Sequence, residues 1–340
     1  MSQDNHILIS DPTLRDGNHA VSHQLTAKQI ALYCSAADRA GIPIVEVGHG
    51  NGLGASSLQV GLAAIDDFTM LTTARDNLKS SKLAVHVIPG FATIEKDIKP
   101  AIEYGVDVFR VAAHCTEADV TERHIHFCRN EGKTVFGVLM MTHMADRFLL
   151  AEEATKMQAY GAEAVILMDS AGNYLPSDVV EKVSHLVETL SIPVGFHAHN
   201  NLGMAIANSI AAVECGALIL DGCARGFGAG AGNTQLEALI AVLERMKYST
   251  GVDLYKTLDA GNLAERELMK VIPTISSTSI VSGLSGVFSG FLKPVNRISQ
   301  EFGVNPRDVF FELGRRKVVA GQEDIIIEVA KSLKGSKYDE

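Results

Sequence analysis

Two histidines stand two residues apart in the run Pro193 Val194 Gly195 Phe196 His197 Ala198 His199 Asn200. On a strand, side chains at that spacing point to the same face, so both imidazoles can reach one metal ion. The spacing alone does not make a site, because a pair of core histidines shows it too. The chain carries its own counter-example in His124 Ile125 His126, which falls in a stretch, residues 121–130, that reads as helix. There, positions i and i+2 diverge by roughly 200°, and the pair reads as surface histidines unable to chelate together. An open catalytic metal generally takes three protein ligands, so His197 and His199 need a carboxylate from elsewhere. The best source is Asp16, in the run Asp11 Pro12 Thr13 Leu14 Arg15 Asp16 Gly17 Asn18 His19, where charged residues crowd a turn in a largely apolar stretch. Taken alone, that turn reads equally as a solvated loop ahead of a helix opening near Thr26.

The elements that must position these groups alternate regularly. Short β-branched runs, residues 7–11, 44–47, 83–88, 106–111, 134–140, 164–168, 193–199 and 217–221, are separated by amphipathic stretches such as 26–40, 94–104, 146–160, 176–190, 202–215 and 235–246. This is the pattern of repeated βα units on a parallel sheet. Gly41, Gly105, Gly161 and Gly216 follow helical stretches and precede strands, as left-handed C′ residues do. The repeating units end near Ser249, close to the about 250 residues typical of a (β/α)₈ TIM barrel, whose active sites lie at the C-terminal ends of its strands. A doubly wound sheet is the alternative, but no switch point is evident. From Gly251 onward the strands stop, and residues 254–272, 294–302, 306–313 and 322–333 read as helices of a second module. The expected division is a catalytic barrel over residues 1–250 and a mainly α-helical C-terminal domain over 251–340.

Composition narrows the function classes. Hydrophobic residues make up 46% of the 340-residue chain, enough to bury a large core. A net charge of −10, with no cluster of Lys or Arg, leaves no footprint for nucleic acid. The first ten residues lack a basic start and an apolar segment, no run reaches the roughly 18 apolar residues of a membrane span, and five scattered cysteines form no Cys-x-x-Cys pair. The expected compartment is the reducing cytoplasm. The glycine-rich run Gly226 to Asn233 invites a nucleotide reading, yet it contains neither G-x-G-x-x-G nor Gly-Lys-Ser/Thr. A tight turn at the barrel mouth, with backbone N–H groups turned to an anion, is the better reading.

Taken together, Thr13 Leu14 Arg15 Asp16 Gly17, Glu46 on the second strand and His197 Ala198 His199 Asn200 resemble the metal-dependent barrel superfamily of HMG-CoA lyase and isopropylmalate synthase. Within it the chain is most similar to the 4-hydroxy-2-oxovalerate aldolases, through His19 Ala20 Val21 with His23 Gln24, Gly48 His49 Gly50 Asn51 Gly52 Leu53, Gly228 to Asn233, and Glu312 Leu313 Gly314 Arg315 Arg316 with Gly321 Gln322 Glu323 Asp324. The resemblance spans essentially the whole chain. It implies that Asp16, His197 and His199 bind a divalent ion, usually Mn²⁺, with Asn233 a further possible ligand. It implies that a 2-oxo acid binds at Asp16, His197 and Arg15, that Arg15 offsets charge on the pyruvate enolate, and that Glu46 orients Arg15. His19 is the implied base for the 4-hydroxyl, and Ser170 the implied contact to the substrate acid, although a serine there could equally cap a helix.

One departure stands out: Phe288 occupies the place of a substrate-contacting tyrosine of the aldolases, and Leu284 that of another. Altered aldehyde preference or relaxed C4 stereochemistry is the expectation. The helical tail resembles the module through which these aldolases dock an acylating acetaldehyde dehydrogenase and pass the aldehyde on. The rival chemistry is a Claisen-type acyl-CoA lyase or synthase on the same scaffold, but those enzymes place Gln near His19. A rival of another class is a non-catalytic metal-binding scaffold for a dehydrogenase, and an intact set of Arg15, Asp16, His19, His197 and His199 argues against it.

Overall fold

A computed structural model describes residues 5–336. Eight parallel strands close into a barrel in chain order: β1 (Leu8–Leu14), β2 (Ile44–Val47), β3 (Lys82–Val87), β4 (Val108–His114), β5 (Thr134–Met140), β6 (Ala164–Asp169), β7 (Val194–Ala198) and β8 (Ile219–Asp221). Closure is made by β1 on β8, with Leu8 opposite Ile219 and Ser10 opposite Asp221. All eight expected strands are present, so the doubly wound alternative falls. Their ends shift by a few residues, the largest differences being β1, which continues to Leu14, and β4, which continues to His114.

The period of two along each strand sorts side chains between two cores. Val45, Val47, Leu83, Val85, Phe109, Phe196 and Leu220 face outward against the ring of helices. Ile44, Ala84, Val108, Phe136, Ala164, Ile166 and Ile219 turn inward and fill part of the barrel's interior. Further along the same inward rows, charged and polar groups replace the aliphatic ones: Glu46 follows Ile44, His86 follows Ala84, Arg110 follows Val108 and Asp221 follows Ile219. All four are buried. The expected helix-ending glycines adopt the left-handed conformation, with φ of +75° at Gly41, +87° at Gly105, +105° at Gly161 and +98° at Gly216.

The tail departs from expectation in two places. The helix Leu254–Glu267 stops short of residue 272 and packs against the barrel helix Ala27–Arg39, burying Ala260, Ala264 and the following Leu268 in the barrel's outer core. A helix over Ser277–Leu284 was not expected, because Ser276 to Ser279 have little intrinsic helical preference. A capping box between Ser276 and Ser279 starts it. Three further helices, Leu292–Phe302, Pro306–Arg315 and Asp324–Ser336, enclose a separate core that includes Val295, Ile298, Phe310, Leu313 and Val329. The segment leading into them crosses the barrel mouth: Asn173 donates to Gly283 O at 2.7 Å, His143 Nε2 meets Gly286 O at 2.8 Å, and Ser289 N donates to Ser170 O at 2.9 Å. Among the described residues, no helix is long and apolar enough to cross a membrane.

Candidate active site

Asp16 lies just past the C-terminal end of β1, His197 is on β7 and His199 follows it. One ligand atom from each lies within 4.8 Å of the others, all three side chains being buried. Asp16 Oδ2 is 3.7 Å from His197 Nε2 and 3.8 Å from His199 Nε2. His197 Nδ1 meets the Asp221 carboxylate at 2.8 Å, which places the ring proton on Nδ1 and leaves Nε2 as a lone-pair donor. That Nε2 is buried and has no hydrogen-bond partner, and a divalent cation would satisfy it. Burial works against ionisation of Asp16, but Arg15 and the nearby histidines outweigh it and hold the carboxyl well below the usual range. Burial also pushes His199 down to about 3. An ionised carboxylate with neutral imidazole is the donor set a divalent ion takes.

The glycine-rich run supplies the anion contact expected of it, and the anion is Asp16, whose Oδ1 accepts from Ala229 N at 2.8 Å. Asn233 stands beside the triad but turns its Nδ2 to Cys223 Sγ at 3.1 Å, while its Oδ1 is buried without a partner. The His124 and His126 pair shares no site, as expected, yet only His126 is exposed. His124 is half-buried, its Nε2 3.1 Å from the Ala92 carbonyl.

Arg15 touches Asp16 at 2.8 Å through NH1 and Glu46 at 3.3 Å through Nε. Its NH2 is buried with no partner, a free pair of donors beside the triad. Burial opposes its charge, but Glu46 and Asp16 hold the guanidinium protonated. Glu46 in turn takes Arg110 at 3.0 Å on its other oxygen, and Arg110 NH2 reaches Asp221. The links close a ring of buried polar groups through the barrel interior, the charged Arg15, Glu46, Arg110, Asp221 and Asp16 with the His197 imidazole between the last two. Arg110, Asp221 and His86 were not singled out from the sequence. The sequence offered only a partial signal: one charge in an otherwise apolar strand, as in Val108 Phe109 Arg110 Val111 Ala112, needs a polar partner inside, but nothing in the run says which.

His19 is half-buried on the short helix Gly17–Ala20 that follows Asp16. Desolvation and the Arg15 charge lower its pKa to about 4, against the pull of Asp16. Gly50 packs against the ring, and its carbonyl favours a proton on the side of the ring that faces it. Phe288 sits edge-on to His19, centroids 6.0 Å apart. Beyond it lies a cavity of about 160 Å³ lined by Ile88, Ala112, Met140, Met141, Ser170 and Val319, among others. Ser170 does not cap a helix, since the next begins at Pro176 behind Leu175. It accepts instead from Met141 N at 3.0 Å at the cavity wall.

The HMGL-like family model matches residues 6–264, and a DmpG-like communication domain matches residues 273–335. The 4-hydroxy-2-oxovalerate aldolase of Spirochaeta aurantia is 69% identical over 96% of each chain. That of Pectobacterium atrosepticum is 61% identical over 96% of this chain and 95% of its own. Among solved structures, the carboxyl transferase domain from Rhizobium etli pyruvate carboxylase shares the fold with a TM-score of 0.80, at 16% identity, over 98% of this chain and 61% of that one. The N-terminal domain of a putative aldolase from Bacteroides vulgatus matches with a TM-score of 0.71 at 22% identity, over 87% of this chain and 97% of that one. The chain belongs to the HMGL-like, divalent-metal-dependent family and, within it, to the 4-hydroxy-2-oxovalerate aldolases, which are carbon–carbon lyases.

Proposed function

We propose that this chain cleaves 4-hydroxy-2-oxo acids of the 4-hydroxy-2-oxovalerate type to pyruvate and an aldehyde, with Asp16, His197 and His199 holding the cation, Mn²⁺ in our reading. The observation that carries the proposal is the convergence of those three ligands beside the free Arg15 NH2 and a neutral His19. When bound, the divalent ion supplies Lewis-acid stabilisation to the oxygen on which charge develops. His19 accepts the proton of the 4-hydroxyl. The C4–O bond becomes the aldehyde carbonyl as the C3–C4 bond breaks, and its electron pair passes into the pyruvate enolate. Arg15 NH2 donates to the C2 oxygen of that enolate, where its fixed charge counts most in a dry site. Protonation at C3 then gives pyruvate. Glu46 holds Arg15, and Asn233 adds a further oxygen beside the cation. Ser170 contacts the substrate acid, and Phe288, which lines the same cavity, faces the C4 substituent.

In Mn²⁺-loaded protein given such an acid, pyruvate release is expected, and it should vanish after chelation and return with metal. Undiminished activity in chelator-stripped protein rejects the mechanism. Run on the two C4 enantiomers, the same assay should show weak discrimination, since Phe288 offers no hydroxyl to the C4 substituent. Strict discrimination counts against that role.

The molecule divides, in this reading, into a catalytic barrel that includes the Leu254–Glu267 helix and a C-terminal helical module. The boundary moves from the expected residue 250 to the segment after Leu268, because that helix is part of the barrel's core. The DmpG-like communication domain supports docking of an acylating acetaldehyde dehydrogenase that takes the aldehyde through a channel, in an oligomer. Co-sedimentation with such a dehydrogenase is the expected outcome, and separate boundaries at micromolar concentrations would reject it. All five cysteines are free, which suits the cytoplasm.

A further inference from the structure

Two buried histidines, His23 and His49, take no part in the steps above. Their rings stack with centroids 3.6 Å apart and planes 17° from parallel. Each spends both nitrogens on backbone groups. His49 Nδ1 accepts from Asn51 N at 3.1 Å, so its proton sits on Nε2, which donates to the Gly61 carbonyl at 3.0 Å. His23 Nδ1 accepts from Gly50 N at 3.3 Å, leaving its Nε2–H for the Val60 carbonyl. The two N–H groups held in this way belong to consecutive peptides, one on either side of Gly50. In a planar trans peptide the N–H and C=O point in opposite directions. Fixing Asn51 N–H therefore aims the Gly50 carbonyl, which accepts from Arg15 NH1 at 3.4 Å and lies within reach of the His19 ring. The approach is close enough that a Cβ added at Gly50 would sit 2.6 Å from His19 Nε2.

We propose that His23 and His49 are positioning residues: by gripping the peptides that flank Gly50, they aim the carbonyl that orients His19 and Arg15. The inference rests on the roles given to His19 and Arg15 under the proposed function. Both rings must stay neutral for this, because a protonated ring presents an N–H where the amide needs an acceptor. Burial, with His19 and His49 adding to it, holds His23 down to about 2, and burial lowers His49 as well.

Asparagine carries an acceptor oxygen close to where histidine carries Nδ1, whereas phenylalanine keeps the stacked ring and lacks the acceptor. The test compares His23→Asn with His23→Phe and His49→Asn with His49→Phe, loaded with Mn²⁺, checked for folding by circular dichroism and for metal by electron paramagnetic resonance. Misaiming reacting groups by an ångström costs about 100-fold in rate, and each phenylalanine variant is expected to lose about that much in kcat with metal affinity unchanged. Each asparagine variant should recover about tenfold or more of the loss. Equal kcat in the Asn and Phe variants of a position, whether both active or both impaired, overturns the proposal. Nitrogen-15 spectra of the wild-type rings give a second reading that needs neither variant nor turnover. Both should stay Nε2–H tautomers as pH falls below the ordinary imidazole value near 6.5, and a ring protonated there or an Nδ1–H tautomer overturns the proposal. Wild-type protein that releases no pyruvate while both tautomers hold as expected would reject the proposed reaction and leave the clamp standing.

Discussion

The proposed role of His19, taking a proton from an alcohol, needs a neutral ring when the substrate arrives, and desolvation provides this. The ring accepts only when unprotonated, so activity is retained above its pKa and lost as pH falls through it. With that pKa pushed down to about 4, kcat/KM should stay level well below the ordinary imidazole value near 6.5. An acid limb centred near 6.5 would mean that another group is the base. General base catalysis contributes about 10²- to 10⁴-fold, and His19→Ala should lose that much. Its metal content should be unchanged, because His19 lies outside the Asp16, His197 and His199 triad. Loss of metal in that variant would show the role to be misassigned.

At the scale of strands, the charged ring through the barrel decides where Arg15 and His197 can stand. Arg110 is fully buried and joins Glu46 to Asp221. Arg110→Met leaves Asp221 buried without a charged partner and Glu46 with Arg15 alone, a kind of loss that costs about 3–5 kcal/mol, and urea unfolding should show a fall of that order. Because Asp221 also holds His197 Nδ1, Mn²⁺ affinity should fall as well. A variant of wild-type stability and affinity would make the ring incidental. The strands and their order were legible in the sequence because short apolar runs such as Ile44 to Val47 and Leu83 to Val87 alternate with amphipathic helical stretches. So were the triad and Arg15, since His-x-His on a strand and a crowded turn are local patterns. Arg110 and Asp221 escaped attention because their partners come from other strands, and a lone charge on a strand does not reveal what faces it. Helix Ser277–Leu284 was missed for a different reason: its capping box was hidden in a serine-rich stretch that reads as loop.

Across the whole molecule, the C-terminal module and the Asp16 carboxylate are joined through one buried side chain. Asn201 Nδ2 donates to Ser289 Oγ, in the segment crossing the mouth, and to Ala171 O, both at 2.9 Å. Its Oδ1 accepts from Ala231 N at 2.8 Å. That contact pins the glycine-rich loop two residues from Ala229, whose N–H holds Asp16 Oδ1. The loop is rich in glycine, so its own backbone does little to keep Ala229 in place, and the pin must come from outside it. Asn201→Ala leaves the Ala231 N–H and the Ala171 carbonyl without partners, a loss of about 1–3 kcal/mol for such buried groups. It also frees Ala229 from Asp16. Weaker Mn²⁺ binding is therefore expected in a folded protein, and Ser289→Ala, which removes only the module's contact, should weaken it less. Manganese titration of both variants checks the order, and an Asn201→Ala protein that folds and binds Mn²⁺ as tightly as wild type would show that the module and the metal site are held independently.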